Sequence, residues 1–559
     1  MSLLSVLNIG TKGMNVSQLQ MDVTSQNISN ADVEGYSRKR VNTTTAYHYD
    51  SVFGQMGMGA DVIDIERMRN TFVDEQIRHQ NMEVGYFEEM DNTLSRLEDV
   101  FTEPSDKGLQ NYIDQFFDSW QNLANNPSDV AARTMVRSNA EELVSVFHTL
   151  SGELRDLRQE RNDQLPSRVD RINQLSRQIF NLNQEVGAIE IGDQNANDSR
   201  DKRDMLVKEL SKLIDITTQE NDNGQVTITT AGSILVSPVF TQDLEITTAT
   251  RNLPDGTSVK DLGIRFADSN LAYDPKGGQV KGLLDSRDET IPAYQKTLDE
   301  LAVAITEKTN EIHTTGYTLN GYSGISFFAP NATGASDINL SASILSDVLN
   351  IAAASGGQSH IAAQNTSPAG SHDYGTDPIQ LYQDPSVAPP VKARNIIRDT
   401  VSVSTGSVVL TEGTDYHIDY ANGTFQMLHN GYDTQDLTID FQYRSGGSKG
   451  PGDNSNALEL AKLRTSLTMS ADGLGNPTST FSEFYSSFIG RLGLNKQQAS
   501  SNLETRTFLV DQYEAQQDSV SGVSLDEEMA NMIRYQHSYT AAARLITTTD
   551  EMLQVLMNI

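Results

Sequence analysis

The longest periodic pattern in this chain lies between residues 143 and 189, and it restricts the fold more than any other feature. Hydrophobic residues recur there at spacings of three and four, as they do along a coiled-coil-like helix. They are Leu143, Phe147, Leu150, Leu154, Leu157, Val169, Ile172, Leu175, Ile179, Leu182, Val186 and Ile189. A continuous helix over this stretch would be ~70 Å long. Because Pro166 interrupts the pattern, we expect it to kink the helix or to start a second one.

The N-terminus is also predicted to be helical, with hydrophobic residues on two opposite faces. One row recurs at every seventh position, and a second row begins two positions later, about 200° around the helix. The first row is Leu7, Met14, Met21 and Ile28, and the second is Ile9, Val16 and Val23. A surface helix normally has one hydrophobic face. Two faces therefore indicate either one intramolecular and one intersubunit contact or a fully buried helix.

The C-terminus has a related helical pattern that ends in a hydrophobic stretch. The residues on the predicted contact face are Leu525, Met529, Met532, Tyr539, Ile546 and Leu553. Asp526, Glu527 and Glu528 lie near the start of this helix, where the helix dipole favours negative charge. Exposed hydrophobic ends promote aggregation unless something covers them. We therefore predict that the two terminal helices pair and meet other subunits through Leu7, Met14, Met21, Ile28 and these six C-terminal residues.

Two β-rich segments interrupt the helical pattern. In the first, Asn223-Gly224 predicts a two-residue hairpin turn beside the β-branched run Val226–Thr230. In the second, short strands are predicted between residues 401 and 443, with Asn422-Gly423 as a hairpin turn. The chain therefore leaves a helical body twice and returns to it.

These patterns predict an α+β multi-domain fold. A helical coiled-coil core is formed by both chain termini and the long central helices, and two β-rich outer domains are inserted into it. The predicted segments are an N-terminal assembly helix (1–45) that pairs with 515–559; a long helical rod domain (46–205, completed by 283–325 and 453–514); a first β-rich domain (206–282, to which 326–362 is a candidate addition); a variable β-rich outer domain (363–452); and a C-terminal assembly helix (515–559).

The composition argues against several classes of function. The net charge is −33, from 42 Lys plus Arg against 75 Asp plus Glu. Nucleic acids and anionic membranes bind clustered basic residues, so we expect neither as a partner. The chain has no cysteine, which excludes disulfides, thiol catalysis and zinc–thiolate sites. No stretch approaches the ~18 apolar residues of a membrane span. Residues 1–10 carry no charged side chain, unlike a cleaved signal peptide.

No sequence pattern points to a catalytic, cofactor or metal site. None of the nine histidines has another histidine three or four positions away, which is the spacing of helical zinc ligands. Asn221–Gly224 resembles part of a calcium loop, but Gln219 and Thr230 take the positions that need carboxylates. Gly446–Gly450 matches a nucleophile-elbow string but lies in a predicted flexible linker. We therefore predict no enzyme activity, no cofactor and no metal.

A motif after the N-terminal helix resembles a known family signature. Residues 25–31, Ser-Gln-Asn-Ile-Ser-Asn-Ala, and 35–38, Gly-Tyr-Ser-Arg, resemble the signature of bacterial flagellar axial proteins of the rod, hook and hook-associated class. The matching motif residues are Asn27, Asn30, Gly35 and Tyr36, whereas Val33-Glu34 stands where Thr-Pro is usual. Further stretches that resemble the hook-associated members are 201–206, 282–288, 310–317, 524–528 and 539–546.

The resemblance implies a structural protein outside the cell. In this family, terminal segments that are disordered in the secreted monomer fold into a coiled coil on assembly. Export occurs by a type III route without cleavage of a signal peptide, after a cytoplasmic chaperone has shielded the C-terminal helix. For this chain the resemblance implies self-association into a ring at the hook–filament junction, in contact with the hook protein and a second junction protein. Such a ring would allow filament growth and motility.

Three alternatives remain open from the sequence. The first is another flagellar axial protein, such as the hook protein or the second junction protein. The second is a secreted adhesin that uses 363–452 as its binding module, in which case that fragment would bind a surface or glycan. The third is an enzyme carried on the flagellum, in which case replacing one carboxylate would abolish a hydrolytic activity.

Overall fold

The protein is described by a computed structural model that covers residues 3–51, 54–102, 105, 108–192, 194–252, 258–355, 359–366, 379–382, 396, 400–406, 408–420, 423–428, 436–444, 452–470 and 477–557. The helices are α1 (Leu3–Ser29), α2 (Thr71–Phe101), α3 (Leu109–Asn125), α4 (Val130–Glu190), α5 (Asn197–Leu213), α6 (Gly278–Asp285), α7 (Ile291–His313), α8 (Ala342–Ser346), α9 (Ser455–Lys462), α10 (Phe481–Ser521) and α11 (Leu525–Met557). A π-helical turn, Ser286–Thr290, joins α6 to α7, and a 3-10 turn, Val348–Asn350, follows α8.

Short antiparallel strands accompany these helices, so the predicted α+β class is confirmed. Before α2 lie β1 (Lys39–Thr45), β2 (His48–Ser51), β3 (Gly54–Gly57) and β4 (Ala60–Arg67). Between α5 and α6 lie β5 (Thr217–Glu220), β6 (Val226–Thr230), β7 (Ser233–Val236), β8 (Leu244–Asn252) and β9 (Ser258–Phe266). After α7 come β10 (Gly316–Tyr317), β11 (Ala354–Ser355), β12 (Ser359–Thr366), β13 (Ile379–Gln380), β14 (Ser402–Thr405), β15 (Val408–Leu410), β16 (Tyr416–Asp419), β17 (Thr424–Met427) and β18 (Leu437–Arg444).

Helix α4 passes through Pro166 without a break, so the expectation of a second helix starting there was wrong. A proline inside a helix removes one backbone hydrogen bond and weakens the helix locally. Its neighbours Leu165 and Val169 are buried in a hydrophobic core. Tertiary packing of the apolar face therefore stabilises the helix at the position where its own hydrogen bonding is weakest.

The helical body surrounds one large hydrophobic core built from α2, α3, α4, α7, α9 and α10. Trp120 and Phe116 on α3 are fully buried at its centre, next to Phe327. Helices α2 and α10 pack against each other and run antiparallel. Gln517, near the end of α10, contacts Asp74 near the start of α2, whereas Ser500, earlier in α10, contacts Asp91 further along α2. The N-terminal end of α2 and the C-terminal end of α10 therefore lie together, next to the connections to α1 and α11.

A second hydrophobic core joins α4, α5 and α6 to the strands β6–β9. Strand β6 alternates buried and half-buried residues, which gives it one face towards this core. The predicted turn at Asn223-Gly224 links β5 to β6, and Gly224 has the positive φ of 70° that such a turn requires. A third core lies within the outer β segment, whose sheets are ordered β12-β18-β14-β15 and β13-β17-β16. Asn422, predicted in a hairpin turn there, lies outside the described residues.

The terminal segments differ in length from the predicted helices. We predicted helix over 1–45, but α1 ends at Ser29 and residues 39–45 form β1, paired with β4. Asn30 ends the helix by donating its backbone and side-chain N–H groups to the Gln26 carbonyl, at 3.1 and 2.8 Å. At the other end, helix over 515–559 is interrupted between α10 and α11, and Gly522 is the C-cap of α10.

Candidate subunit interface

The face of α1 towards α11 consists mainly of small and polar residues, with Val23 as the one member of its hydrophobic rows. The buried residues of α1 are Gly10, Ser17, Val23, Thr24 and Asn27. A Cβ atom added at Gly10 would lie 2.7 Å from Cγ1 of Ile546, so the two helices approach closely here. Sequence reasoning missed this contact because it followed hydrophobic residues only. The available signal was the seven-residue spacing of Gly10, Ser17 and Thr24.

The two predicted hydrophobic rows of α1 flank this contact, one on each side. Strands β1 and β4 pack on the side of the second row, where Lys12 forms an ion pair with Asp61 at 2.7 Å. The first row lies on the opposite flank, about 90° around α1 from the α11 contact. All four of its members are only half-buried: Leu7, Met14, Met21 and Ile28.

The predicted residues of α11 fall into two groups. Four lie beside α1 and are half-buried: Met532, Tyr539, Ile546 and Leu553. Leu525 and Met529 are 48% and 51% exposed. The helices are antiparallel, since Asn27 contacts Glu528 whereas Gly10 lies against Ile546. Helical geometry then places Leu525 and Met529 on the same flank as the first row of α1. We call this surface the open face: Leu7, Met14, Met21, Ile28, Leu525 and Met529.

Asn27 fixes the register between the two helices. Its side chain is 1% exposed and takes part in four hydrogen bonds. The amide donates to the Lys39 carbonyl at 2.9 Å and to Oε2 of Glu528 at 3.0 Å. The amide oxygen accepts from the Lys39 N–H at 3.0 Å and from the Tyr36 hydroxyl at 2.8 Å. One family-motif residue therefore connects α1, β1 and α11.

The carboxylate of Glu528 is buried and is held by a charged partner. Arg38 donates from Nε to Oε1 at 2.9 Å, and its Nη2 lies 2.8 Å from the same oxygen. Arg38 also pairs with Glu527 at 3.0 Å. A buried carboxylate needs such compensation, because burial without a partner is costly. Burial and the nearby carboxylates, including Asp198, raise the pKa of Tyr36, which keeps its hydroxyl protonated as a donor to Asn27.

Asp201 connects this cluster to the helical body. Ser37 donates to it from the backbone N–H at 3.1 Å and from the hydroxyl at 2.7 Å. Arg67, at the end of β4, lies 2.7 Å from Asp201 and 3.0 Å from Asp204. Burial alone would raise the pKa of Asp204, but Arg67 and other neighbouring arginines lower it below its ordinary value. The motif segment at Ser37 and the segment that connects β4 to α2 are thereby both anchored on α5.

Gly35 gives the motif its turn. Its φ of 79° lies in the left-handed region that glycine adopts without strain. A Cβ atom there would also overlap the side chain of Met205 on α5. The structure therefore brings together three stretches that are distant in the sequence: the motif at 27–38, the acidic residues at 201–204, and the start of α11.

Two kinds of feature, a metal site and a membrane-spanning helix, are absent from the described part of the chain. Among the described residues, no group of three or more His, Asp or Glu side chains is arranged to hold a metal ion. Within the same part of the chain, no helix is both long enough and apolar enough to span a membrane. A cavity of about 700 Å³ beside β4 is lined by ionic side chains, and its Arg67, Arg69 and Arg200 are already ion-paired.

Comparisons with known proteins give a consistent result. A family model described as flagellar hook-associated protein FlgK helical domain matches residues 94–328. Models described as flagella basal body rod protein and as flagellar basal body rod FlgEFG protein C-terminal match residues 7–36 and 512–559. The end models thus cover the two paired helices.

Similar proteins match over nearly the whole length. Flagellar hook-associated protein 1 of Bacillus subtilis is 26% identical over 99% of this chain and 97% of the relative. The protein of that name from Salmonella typhimurium is 26% identical over 99% of this chain and 100% of the relative. The structure of the flagellar hook junction protein FlgK from Burkholderia pseudomallei shares the fold, with a TM-score of 0.54 and 20% identity over 79% of this chain and all of that one. The chain is therefore similar, over nearly its whole length, to flagellar hook-associated protein 1, and its two ends match models of flagellar basal body rod proteins.

Proposed function

We propose that this chain is a structural subunit of the hook–filament junction. It polymerises into a ring at the hook tip, outside the cell, and the ring allows the filament to grow and to drive motility. The observation that carries this proposal is the open face of the paired terminal helices. After α1 and α11 have packed against each other, Leu525 and Met529 remain about half exposed, and the four α1 side chains remain partly exposed.

Burial of the open face supplies the driving force for assembly. Each Leu, Ile or Met side chain that becomes fully buried contributes about 1.5–3 kcal/mol, and less when it starts half-buried. Six such residues in each subunit offset part of the entropy lost when the helices are ordered. The Asn27 bonds keep α1 and α11 in one register, so that the hydrophobic rows of both helices present a single surface to the next subunit.

The partners follow from the same surface and from the relatives. We propose contacts with the hook protein on one side of the ring and with a second junction protein on the other. Before export, a cytoplasmic chaperone covers α11, where Leu525 and Met529 would otherwise be exposed to solvent. Export then proceeds through a type III route without cleavage of a signal peptide.

We also propose that the chain is divided into a terminal assembly layer, a helical rod domain and two β-rich units, as its sequence suggested, except that 327–353 packs into the core of the helical body rather than into that of the first β-rich unit. The three separate hydrophobic cores support this division. Side-chain bonds join the two connections of the outer unit at the end of the rod domain: Asn456 donates to the Ala352 carbonyl at 2.8 Å, and the hydroxyls of Ser355 and Ser455 lie 2.8 Å apart.

Cells that lack this chain provide the test. We expect electron microscopy to show bare hooks, and we expect immunoblots to show filament protein shed into the medium. Absent hooks would place the protein lower in the axis. Filaments retained on motile cells would contradict the structural role and favour an adhesin that uses the outer β unit.

A substitution on the open face tests the surface itself. Met529→Asp should prevent incorporation into the junction while the rod domain remains folded, because Met529 is exposed in the single chain and buried in the assembly. Val130→Asp is the matched control, since Val130 is 50% exposed and lies at the far end of α4. Normal incorporation of Met529→Asp would count against the open face as a subunit contact.

A further inference from the structure

We propose that neighbouring copies of this chain also join through a second contact, in which the turn at residues 237–240 of one copy enters a groove between α2, α7 and α10 of the next. This inference rests on the proposed self-assembly and names a further surface for it. It commits to one occupant, a second copy of the chain.

The groove is a concavity of the helical body with both apolar and polar lining residues. It has a volume of about 640 Å³, and its wall on α10 extends from Phe488 to Asn502, about 21 Å along the helix axis. Met90 and Leu94 on α2 form its apolar floor together with Ala499. The wall on α7 begins just after the π-helical turn, an irregularity that is frequent at functional sites.

The turn at 237–240 presents hydrophobic side chains in a rigid form. Val239 is 82% exposed and Phe240 is 47% exposed. The Ser237 N–H donates to the Phe240 carbonyl at 2.8 Å. The Ser237 hydroxyl oxygen accepts from the N–H groups of Val239 and Phe240 at 3.2 and 3.0 Å. A turn that is already ordered loses little entropy when it binds, so its two exposed side chains suit an intersubunit contact.

The groove and the turn lie on different sides of α4. Strands β7–β9 pack directly on α4, whereas α10 packs on α2. The turn is held near the C-terminal end of α4, where Gln184 donates to the Pro238 carbonyl at 2.6 Å. The groove lies at the level of Arg168, which bonds Glu89 on α2 at 3.0 Å. When a surface on one side of a copy fits a different surface on the other side of the next copy, the contact is head-to-tail. Repeated head-to-tail contacts build rings or helices.

This placement also sets the offset between neighbours. Gln184 and Arg168 are sixteen positions apart on one continuous helix, which corresponds to about 24 Å along its axis. Adjacent copies joined by this contact with their α4 helices parallel are therefore staggered by about that distance along α4.

Charges near the two surfaces are complementary. Arg491 is exposed at the groove, and within the described residues it has no carboxylate in ion-pair distance. Asp268 is exposed in the loop beside the turn, where Gln242 donates to Ser269 at 3.2 Å, and it likewise has no cationic partner among the described residues. Opposite charges at the rim of an interface fix its orientation. Leu271 in the same loop is 58% exposed and enlarges the apolar surface.

Cysteine cross-linking tests the contact, because the chain contains no cysteine of its own. Phe240→Cys combined with Gln498→Cys, in full-length protein assembled in cells, should give a ladder of cross-linked copies when isolated hook–filament junctions are oxidised. Phe240→Cys combined with Phe508→Cys is the control, since Phe508 is exposed on α10 outside the groove lining. A disulfide requires Cα atoms within about 7 Å, so this control pair should stay monomeric.

The outcomes separate this inference from the proposed function. A ladder from the groove pair alone supports the contact. If only monomers are found, in cells that still retain their filaments, the contact is overturned and the junction role is left intact. Equal ladders from both cysteine pairs would have the same consequence. Absence of the chain from the junctions would overturn both. Phe240→Asp should also reduce incorporation at least tenfold relative to Val130→Asp, and equal incorporation would contradict the contact.

Discussion

Replacement of Asn27 by alanine should weaken assembly strongly without affecting the rod domain. The substitution removes the partner of four groups: the Lys39 N–H, the Lys39 carbonyl, the Glu528 carboxylate and the half-buried Tyr36 hydroxyl. A buried polar group that loses its partner costs about 1–3 kcal/mol. Glu528 keeps its bonds to Arg38, which reduces the free-energy cost of losing its bond to Asn27. We therefore expect a total loss of about 3–4 kcal/mol in the joint packing of α1 with β1 and α11, or a factor of several hundred in that equilibrium.

The assay is a titration of expression in cells that lack the native gene. The quantity to measure is the cellular level of each variant at which half of the cells retain filaments. Asn27→Ala should raise that level by at least a hundredfold or prevent retention altogether. The matched control is Asn30→Ala, since the Asn30 side chain donates only one bond, to the Gln26 carbonyl at the end of α1. Its loss should change the level by only a few-fold.

The refuting result is equally specific. If Asn27→Ala and Asn30→Ala behave alike while both proteins remain folded, the bonds of Asn27 do not fix the register of the terminal helices. The docking of α11 would then depend on hydrophobic contacts alone.

Two further changes test other parts of the account. Gly10→Val should lower incorporation, because overpacking against Ile546 costs about 1–3 kcal/mol; Gly152→Val should incorporate normally in the same immunoblots, since a Cβ atom there meets nothing within 4 Å. Burial lowers the pKa of His313 from 6.5 to about 4, and its Nε2 accepts from the Ala352 N–H at 2.9 Å. The neutral form is therefore favoured in the folded state, and about 3 kcal/mol of stability, present above pH 6.5, is lost as the pH falls to 4. Melting temperatures measured across that window should depend less on pH for His313→Gln, and an unchanged dependence would refute this assignment.

Features that depend on local periodicity were predictable from the sequence. The hydrophobic spacing in α4 gave both the helix and its buried face, since only Leu182 and Ile189 of the named residues are half-buried. The turn at Asn223-Gly224 follows from local backbone preferences. Of the two outcomes predicted at Pro166, a second helix does not occur because the local cost is offset by core packing around Leu165, which sequence spacing does not reveal.

The candidate interface was predictable only in part. The hydrophobic rows pointed to the terminal helices, but their mutual contact uses Gly10, Ser17 and Thr24, which no hydrophobic pattern includes. The pairing of β1 with β4, which replaces the predicted helix over 39–45, depends on contacts that no helical pattern shows. The bond between Ser37 and Asp201 joins residues 164 positions apart, and such a separation carries no periodic signal. The motif showed that these residues matter, and the structure shows the contacts that they make.

The most direct test of the central claim is an electron cryomicroscopy map of the hook–filament junction that contains this chain. The account predicts adjacent copies whose paired α1 and α11 helices pack side by side, with Met14, Met21 and Met529 buried between neighbours. A map that places this chain at the junction with the open face towards solvent would contradict the assembly mechanism. A junction built without this chain would contradict its function.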